Sequence, residues 1–292
     1  MGTTRAIERS ACCAHNPQGV RFCRTCGHLL QSQGVLQNPD NGNGYEVIDV
    51  LAQGGMSTTY LVYNFQTDRL AVLKEIDADL SRRAKARELF LREATMLAAL
   101  DHPGIPKFFD FFVTDESHYL VMEMVHGRTL EEAQPASIAQ AVGWMIEVCE
   151  VLAYMHGRTP PVIHRDIKPA NLILRYNPRR IILIDFGAVK EASAQQGTRI
   201  ATPGYGAPEQ SQGRPCIQSD IYGLATTLIY LLTRQFPGNL YNPRERRFTG
   251  LIESGIPPTL ASVIWAATAF DPAERPRNTA ELVAALRPHA AT

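Results

Sequence analysis

Neither sign of charge prevails in this chain of 292 residues: Lys and Arg number 29, and so do Asp and Glu. No global field therefore draws it to nucleic acid or to an anionic membrane, and any such binding would have to be local. Long hydrophobic runs are missing too. The longest, IYGLATTLIYLL at 221–232, is too short to span a bilayer, and the first ten residues, MGTTRAIERS, hold no apolar core for a secretory signal. The expectation is a cytoplasmic protein without a membrane partner. Cysteine is scarce and uneven. Four of the six lie between residues 12 and 26, and in a reducing compartment such clustering favours a metal over disulfides. Cys149 and Cys216 stand alone and read as small core or surface residues.

What is present suffices for a core. With 45% hydrophobic and 20% charged residues, the chain fits one large or two ordinary domains. Residues 1–30 hold the Cys cluster; 31–44, QSQGVLQNPDNGNG, have almost nothing to bury and read as a linker. From Tyr45, YEVIDVLA, STTYLVYNF and RLAVLKEI alternate and predict three strands of an antiparallel sheet. ARELFLREATMLAAL has helical spacing, with Leu89, Phe90, Glu93, Met96, Leu97 and Leu100 on adjoining turns. HYLVMEMV predicts a strand and SIAQAVGWMIEVCEVLAYMHG a long helix; helical patterns follow, apart from short strands near 172 and 182. The layout is α+β, a small antiparallel sheet lobe joined to a larger helical lobe.

VIHRDIKPANLIL, residues 162–174, sets charged groups and a carboxamide among branched apolar residues. A buried strand would tolerate none of them, and an ordinary surface loop would not be so apolar, so the stretch points to chemistry. An ion-pair network of Asp166, Lys168 and Asp185 would account for charges near a core, but not for Asn171.

From about Tyr45 to Leu286 the chain resembles a eukaryotic-type protein kinase of the bacterial serine/threonine kind. HRDIKPAN at 164–171 matches that family's catalytic loop without a gap; AVLK at 71–74, IDFG at 184–187 and APE at 207–209 follow its other motifs in order. The resemblance implies a bilobal kinase domain over 45–288, ATP and magnesium as cofactors, and transfer of the γ-phosphate to Ser/Thr hydroxyls of protein substrates, with autophosphorylation. Asp166 would accept or orient the hydroxyl proton, Lys168 reach the transferring phosphate, and Asn171 and Asp185 offer hard oxygens to magnesium. Lys74 would meet the α and β phosphates, held by Glu93. Glu88 lies about 140° away around the helix, so it cannot share that face and reads as a solvated charge. Thr202, in TPGY, resembles the hydroxyl that bonds the catalytic Asp and Lys. His164 is expected to pack and hydrogen-bond backbone rather than act as a base.

By position, Leu51, Gly54, Gly55, Thr59, Val72, Met122, Met124, Val125 and Ile173 resemble the nucleotide site. Met122 would guard the back pocket, Met124 and Val125 form the hinge, and Val72 narrow the roof where the family usually has alanine. LAQGGMSTTYLV departs from the family: of three spaced glycines only Gly54 remains, beside Gly55, because Ala52 and Ser57 take the outer places. Side chains there would hold backbone amides away from phosphates, so ATP binding is expected to be weaker. Thr198 or Ser193 are phosphorylation candidates, with Arg165 as an unpaired cation near them and Lys190 able to join it. Glu209 and Arg275 resemble a buried ion pair, and Asp220 the acid that receives the catalytic loop's amides.

FCRTCG at 22–27 has the spacing of a zinc knuckle. Cys23 and Cys26 would join Cys12 and either His15 or Cys13, since the other place expected of a bacterial zinc ribbon falls on Arg9, which cannot ligate. A small zinc ribbon preceding the kinase would contact a regulatory protein, while nucleic acid is disfavoured by the few basic and aromatic residues. The alternatives are a pseudokinase scaffold with an altered phosphate loop, or a zinc-ribbon nucleic-acid module.

Overall fold

Alternating residues in the first half become strands because successive side chains point to opposite faces, which lets each face be covered separately. The computed structural model describes residues 34–53, 57–76, 83–114, 117–187, 190–191 and 202–290. The chain divides into two compact units: the described residues up to Ala98 with Lys107–Met124, and Ala99–Pro106 with the residues from Val125 onward.

The first unit is an antiparallel sheet with one helix. Strands β1 (Val35–Gln37), β2 (Gly44–Gln53), β3 (Ser57–Asn64), β4 (Arg69–Ile76), β5 (Phe108–Thr114) and β6 (Ser117–Glu123) lie in the order β1-β2-β3-β4-β6-β5. Tyr45, Val47, Tyr60, Val62, Ala71, Leu73, Tyr119 and Val121 alternate onto one face and form a buried cluster with Phe112. Phe112 stacks on Tyr45 at 5.6 Å and on Tyr119 at 5.0 Å between centroids. Helix α1 (Ala84–Ala99) buries Ala86, Phe90, Glu93, Ala94 and Leu97.

The stretch expected to be a linker departs from that expectation. Val35, Leu36 and Gln37 pair with Glu46, Tyr45 and Gly44. Beyond them Asn38, only 2% exposed, donates its amide to both oxygens of Asp110 at 2.9 and 3.0 Å. Asn41, Asn43 and the Tyr45 hydroxyl reach the same carboxylate. Polar residues thus dock this segment, which is why a count of apolar side chains missed it. Strand β5 also escaped the pattern, because FFDFFVT does not alternate.

The second unit is mainly helical. It holds a three-stranded sheet, β10-β9-β7, of β7 (Gly127–Thr129), β9 (Leu172–Arg175) and β10 (Arg180–Leu183), and a two-stranded pairing of β8 (Val162–Ile163) with β11 (Lys190–Glu191). Helix α2 (Ile138–His156) starts at Ser137, whose hydroxyl accepts from the Gln140 amide, an N-cap. By length and composition α2 could cross a bilayer, yet half of its apolar window is buried within the protein, as in a core helix. After the short α3 (Pro208–Ser211), helix α4 (Ile217–Thr233) contains the whole IYGLATTLIYLL run and is buried from Ser219 to Ile229. A helix apolar all round belongs inside. A short pair, Tyr241–Asn242 with Arg247–Phe248, and helices α5 (Pro258–Ala267) and α6 (Thr279–Leu286) complete the unit.

Candidate active site

In the first unit, cross-strand register decides which side chains share a face. Thr59 lies opposite Lys74, Leu61 opposite Val72, Val72 opposite Met122 and Lys74 opposite Leu120. These residues therefore occupy the face opposite the Tyr45 cluster. Lys74 Nζ meets Glu93 Oε1 at 2.7 Å and Oε2 at 2.9 Å, with side-chain exposures of 17 and 6%. Glu88 points elsewhere, exposed between Lys85 and Arg92, each at 3.1 Å. Two-pronged contact fixes the ammonium while leaving part of it open.

Ala52 pairs with Thr59 and Gln53 with Thr58 in the last pairs of the β2-β3 ladder, and Ser57 opens β3. Gly54 and Gly55 themselves lie outside the described residues. Leu51 is exposed, whereas Thr59, Val72 and Met122 are half-buried. The chain leaves the first unit at Met124 and enters the second at Val125, which is buried. Ile173 sits in β9 between Thr129 and Ile182.

The second unit gathers the polar groups of 164–171. Asp166 Oδ1 accepts from Thr202 Oγ1 at 2.5 Å; Oδ2 accepts from Lys168 Nζ at 2.8 Å and Asn171 Nδ2 at 2.9 Å. Asn171 also donates to the Asp166 carbonyl at 2.9 Å. With its amide hydrogens spent on Asp166, Asn171 keeps only its oxygen for a cation. Asp185 is exposed, at φ 65°, and accepts from the Gly187 amide at 3.3 Å. A carboxylate and an amide oxygen are the hard donors that magnesium takes. Thr202 bonds Asp166 directly, and Lys168 meets the other carboxylate oxygen rather than the threonine.

The loop is shaped from beneath. Asp220 of α4, 1% exposed, accepts the His164 amide at 2.9 Å, the Arg165 amide at 2.7 Å and His156 Nε2 at 2.9 Å. Gln210 donates to the Arg165 carbonyl at 2.6 Å. Held so, Arg165 takes φ 73°, is 4% exposed and has a partner. The expectation of an unpaired cation there is corrected: the side chain is buried and partnered. His164 is fully buried, edge-on to Phe186 at 5.4 Å, and burial holds its pKa below the usual 6.5. It is a neutral packing group. Gln210 and His156 went unmarked in the sequence, although Gln210 directly follows APE.

Glu209 and Arg275 form a buried two-pronged pair at 2.7 and 2.9 Å, completed by Ser219 at 2.6 Å and by the Ala269 carbonyl at 2.7 Å. Cys149 is buried, which pushes its thiol up to about 12, and Cys216 is half-buried at the start of α4. Neither is a nucleophile in this state. Cys12, Cys13, His15, Cys23, Cys26, Ser193 and Thr198 lie outside the described residues, as does the Lys190 side chain. Among the described residues no group of three or more His, Cys, Asp or Glu could hold a metal.

A family profile described as a protein kinase domain matches residues 45–265. Serine/threonine-protein kinase B of Synechocystis is 35% identical over 77% of this chain and 42% of its own length. Serine/threonine-protein kinase PknA of Nostoc is 36% identical over 84% of this chain and 47% of its own. The chain thus spans under half the length of these two relatives. A crystal structure of a doubly substituted PknI kinase domain from Mycobacterium tuberculosis superposes with a TM-score of 0.68 at 25% identity, covering 87% of this chain and 98% of that one.

Proposed function

Because this chain belongs to the protein kinase family, we propose that it transfers the γ-phosphate of ATP to serine and threonine hydroxyls of protein substrates. The observation that carries this reading is the Asp166 carboxylate, held by Thr202, Lys168 and Asn171. The substrate hydroxyl gives its proton to Asp166 as its oxygen forms the new bond to the γ-phosphorus; the bond to the β-phosphate bridge breaks, and ADP departs with that electron pair. Lys168, two residues on, balances charge on the transferring group. Lys74, oriented by Glu93, binds the α and β phosphates.

Asn171 and Asp185 hold magnesium in this proposal, and the metal supplies charge neutralisation to the triphosphate. Leu51, Thr59, Val72, Met122, Met124, Val125 and Ile173 line the adenine and ribose sites, with Gly54 and Gly55 over the phosphates. Autophosphorylation falls on Thr198 or Ser193. The kinase domain covers 45–288, with residues 35–43 docked on its sheet. Ahead of it, C-x-x-C spacing supports a zinc ribbon at 1–30, with Cys12, Cys23, Cys26 and either His15 or Cys13 as ligands, contacting a regulatory protein in the cytoplasm.

The test is labelled ATP with magnesium and a generic protein acceptor, beside Asp166→Asn. Label on serine and threonine only in the unaltered protein supports transfer. ATP-dependent thermal stabilisation without label points to a pseudokinase scaffold. Phosphosite mapping of the same sample decides between Thr198 and Ser193, and zinc content of the purified chain decides the ribbon.

A further inference from the structure

Strands β7 and β9 and the turn after them wall a cavity of about 700 Å³ in the second unit, within the range that ligands fill. Its lining is basic: Arg128, Arg175 and Arg179 stand against one carboxylate, Glu132. Glu132 is turned back on its own loop, where Oε2 accepts the Thr129 amide at 3.3 Å. Arg128 and Arg179 are exposed, and neither side chain has a hydrogen bond or ion pair among the described residues.

The walls are fixed in advance. Gly127 lies so close to the Leu174 carbonyl that a Cβ would collide with it. The Glu132 and Ala133 amides bond the Thr129 carbonyl at 3.1 and 2.8 Å, and Tyr176 N bonds the His126 carbonyl at 3.0 Å. Arg234, at the end of α4, pins the Glu131 carbonyl at 2.9 Å. The backbone of such a site is already ordered, so filling it costs the entropy of the arginine side chains alone.

Guanidinium forks match carboxylate or phosphate. Arg128 and Arg179 offer two forks with no partner among the described residues, while Arg175, which has a partner of its own, adds its charge to the same concavity, where Glu132 is the one carboxylate of the lining. A phosphorylated serine or threonine carries nearly two negative charges and three acceptor oxygens. We propose that this cavity binds a phosphorylated serine or threonine on a protein segment, recruiting the kinase to proteins already phosphorylated. Tyr176, 60% exposed, offers a ring and hydroxyl at the rim for the flanking peptide. Strand β9 starts directly after Asn171, so Arg175 is only about 13 Å along the chain from it at 3.3 Å per residue. The kinase reading supplies the source of such phosphates, but binding itself does not depend on turnover.

The probe is a degenerate heptapeptide library centred on phosphothreonine, beside the same library with unmodified threonine and one with glutamate. Each is applied to the full chain carrying Asp166→Asn, with and without Arg128→Gln plus Arg179→Gln. The expected result is retention of the phosphothreonine library alone, weakened as salt rises and at least tenfold weaker in the arginine double variant. Equal retention of the glutamate or unmodified library, retention unchanged in the double variant, or no retention at all overturns the site. Loss of label transfer in the separate ATP assay would instead strike the kinase reading.

Discussion

Thr202 Oγ1 donates to Asp166 Oδ1 at 2.5 Å, tying the segment that precedes APE to the loop that carries Asp166. The other carboxylate oxygen already takes Lys168 and Asn171. Asp166 is therefore held at both ends, and the threonine sets its rotation without needing to touch the substrate. Losing a hydrogen bond to a charged group costs about 1.5–3 kcal/mol. Thr202→Val should thus lower kcat roughly 10- to 100-fold with little change in the KM for ATP, and Thr202→Ser should restore it. Full kcat in the valine variant, or failure of serine to rescue, would remove the positioning role.

Glu93→Gln tests the nucleotide side. The glutamine keeps the size but gives Lys74 a neutral partner in place of the two oxygens at 2.7 and 2.9 Å. The lysine remains partly exposed, so stability should change little while kcat/KM for ATP falls at least tenfold, roughly 1.4 kcal/mol. Steady-state kinetics beside urea unfolding separates the two. A loss of stability with intact kinetics would make the pair merely structural.

Motif and register made much of this legible. Glu93 could be separated from Glu88 because five helical residues place them on different faces, and the longest apolar run, 221–232, lies inside α4. What stayed hidden depends on partners far along the chain. Asn38 bonds Asp110 across 72 residues, so neither QNPDNGNG nor FFDFFVT reveals its role alone. Arg165 is buried, and its backbone is held by Asp220 and Gln210, on α4 and α3; no local pattern announces that. The hairpin residues Ala52 and Ser57 were legible as departures from the family, but their effect on phosphate binding is a matter of function.

Glu209→Ala should destabilise the protein by about 3–5 kcal/mol, the usual result of stranding one member of a buried pair. Arg275 would keep the carbonyls of Ala269, Phe270 and Gln218 but lose both carboxylate contacts. Equilibrium urea unfolding measures this. A change below about 1 kcal/mol, the worth of an exposed pair, would show that water reaches the arginine.

Acid should weaken the first unit through Asp110. Burial alone would raise its pKa, but hydrogen bonds from Asn38, Tyr45, Asn41 and Asn43 outweigh this and bring it below the usual 3.8. A carboxyl depressed on folding stabilises fully above its unfolded pKa, and that contribution disappears as pH falls through the folded value. Buried neutral His164 works in the same direction below 6.5, where only the unfolded chain takes up the proton. Asp110→Asn should cost about 1–3 kcal/mol at neutral pH, since an amide sets donor against donor, and should flatten the decline below pH 3.8. Unfolding curves of both proteins between neutrality and acid measure it; parallel slopes below that pH would mean that Asp110 is not the titrating group.

Ala52 and Ser57 flank the hairpin end as strand residues, opposite Thr59 and Ile76 respectively. If their Cβ atoms keep backbone amides from the phosphates, Ala52→Gly with Ser57→Gly should lower the KM for ATP several-fold and leave kcat within about twofold, because the change acts on ground-state binding. The double substitution should also cost stability, about 0.5–1 kcal/mol per glycine placed in extended chain. The two effects have opposite signs, so general loosening cannot imitate tighter nucleotide binding. An unchanged KM in the double variant would show that the small side chains already clear the phosphates, and that the departure from spaced glycines has no consequence for ATP.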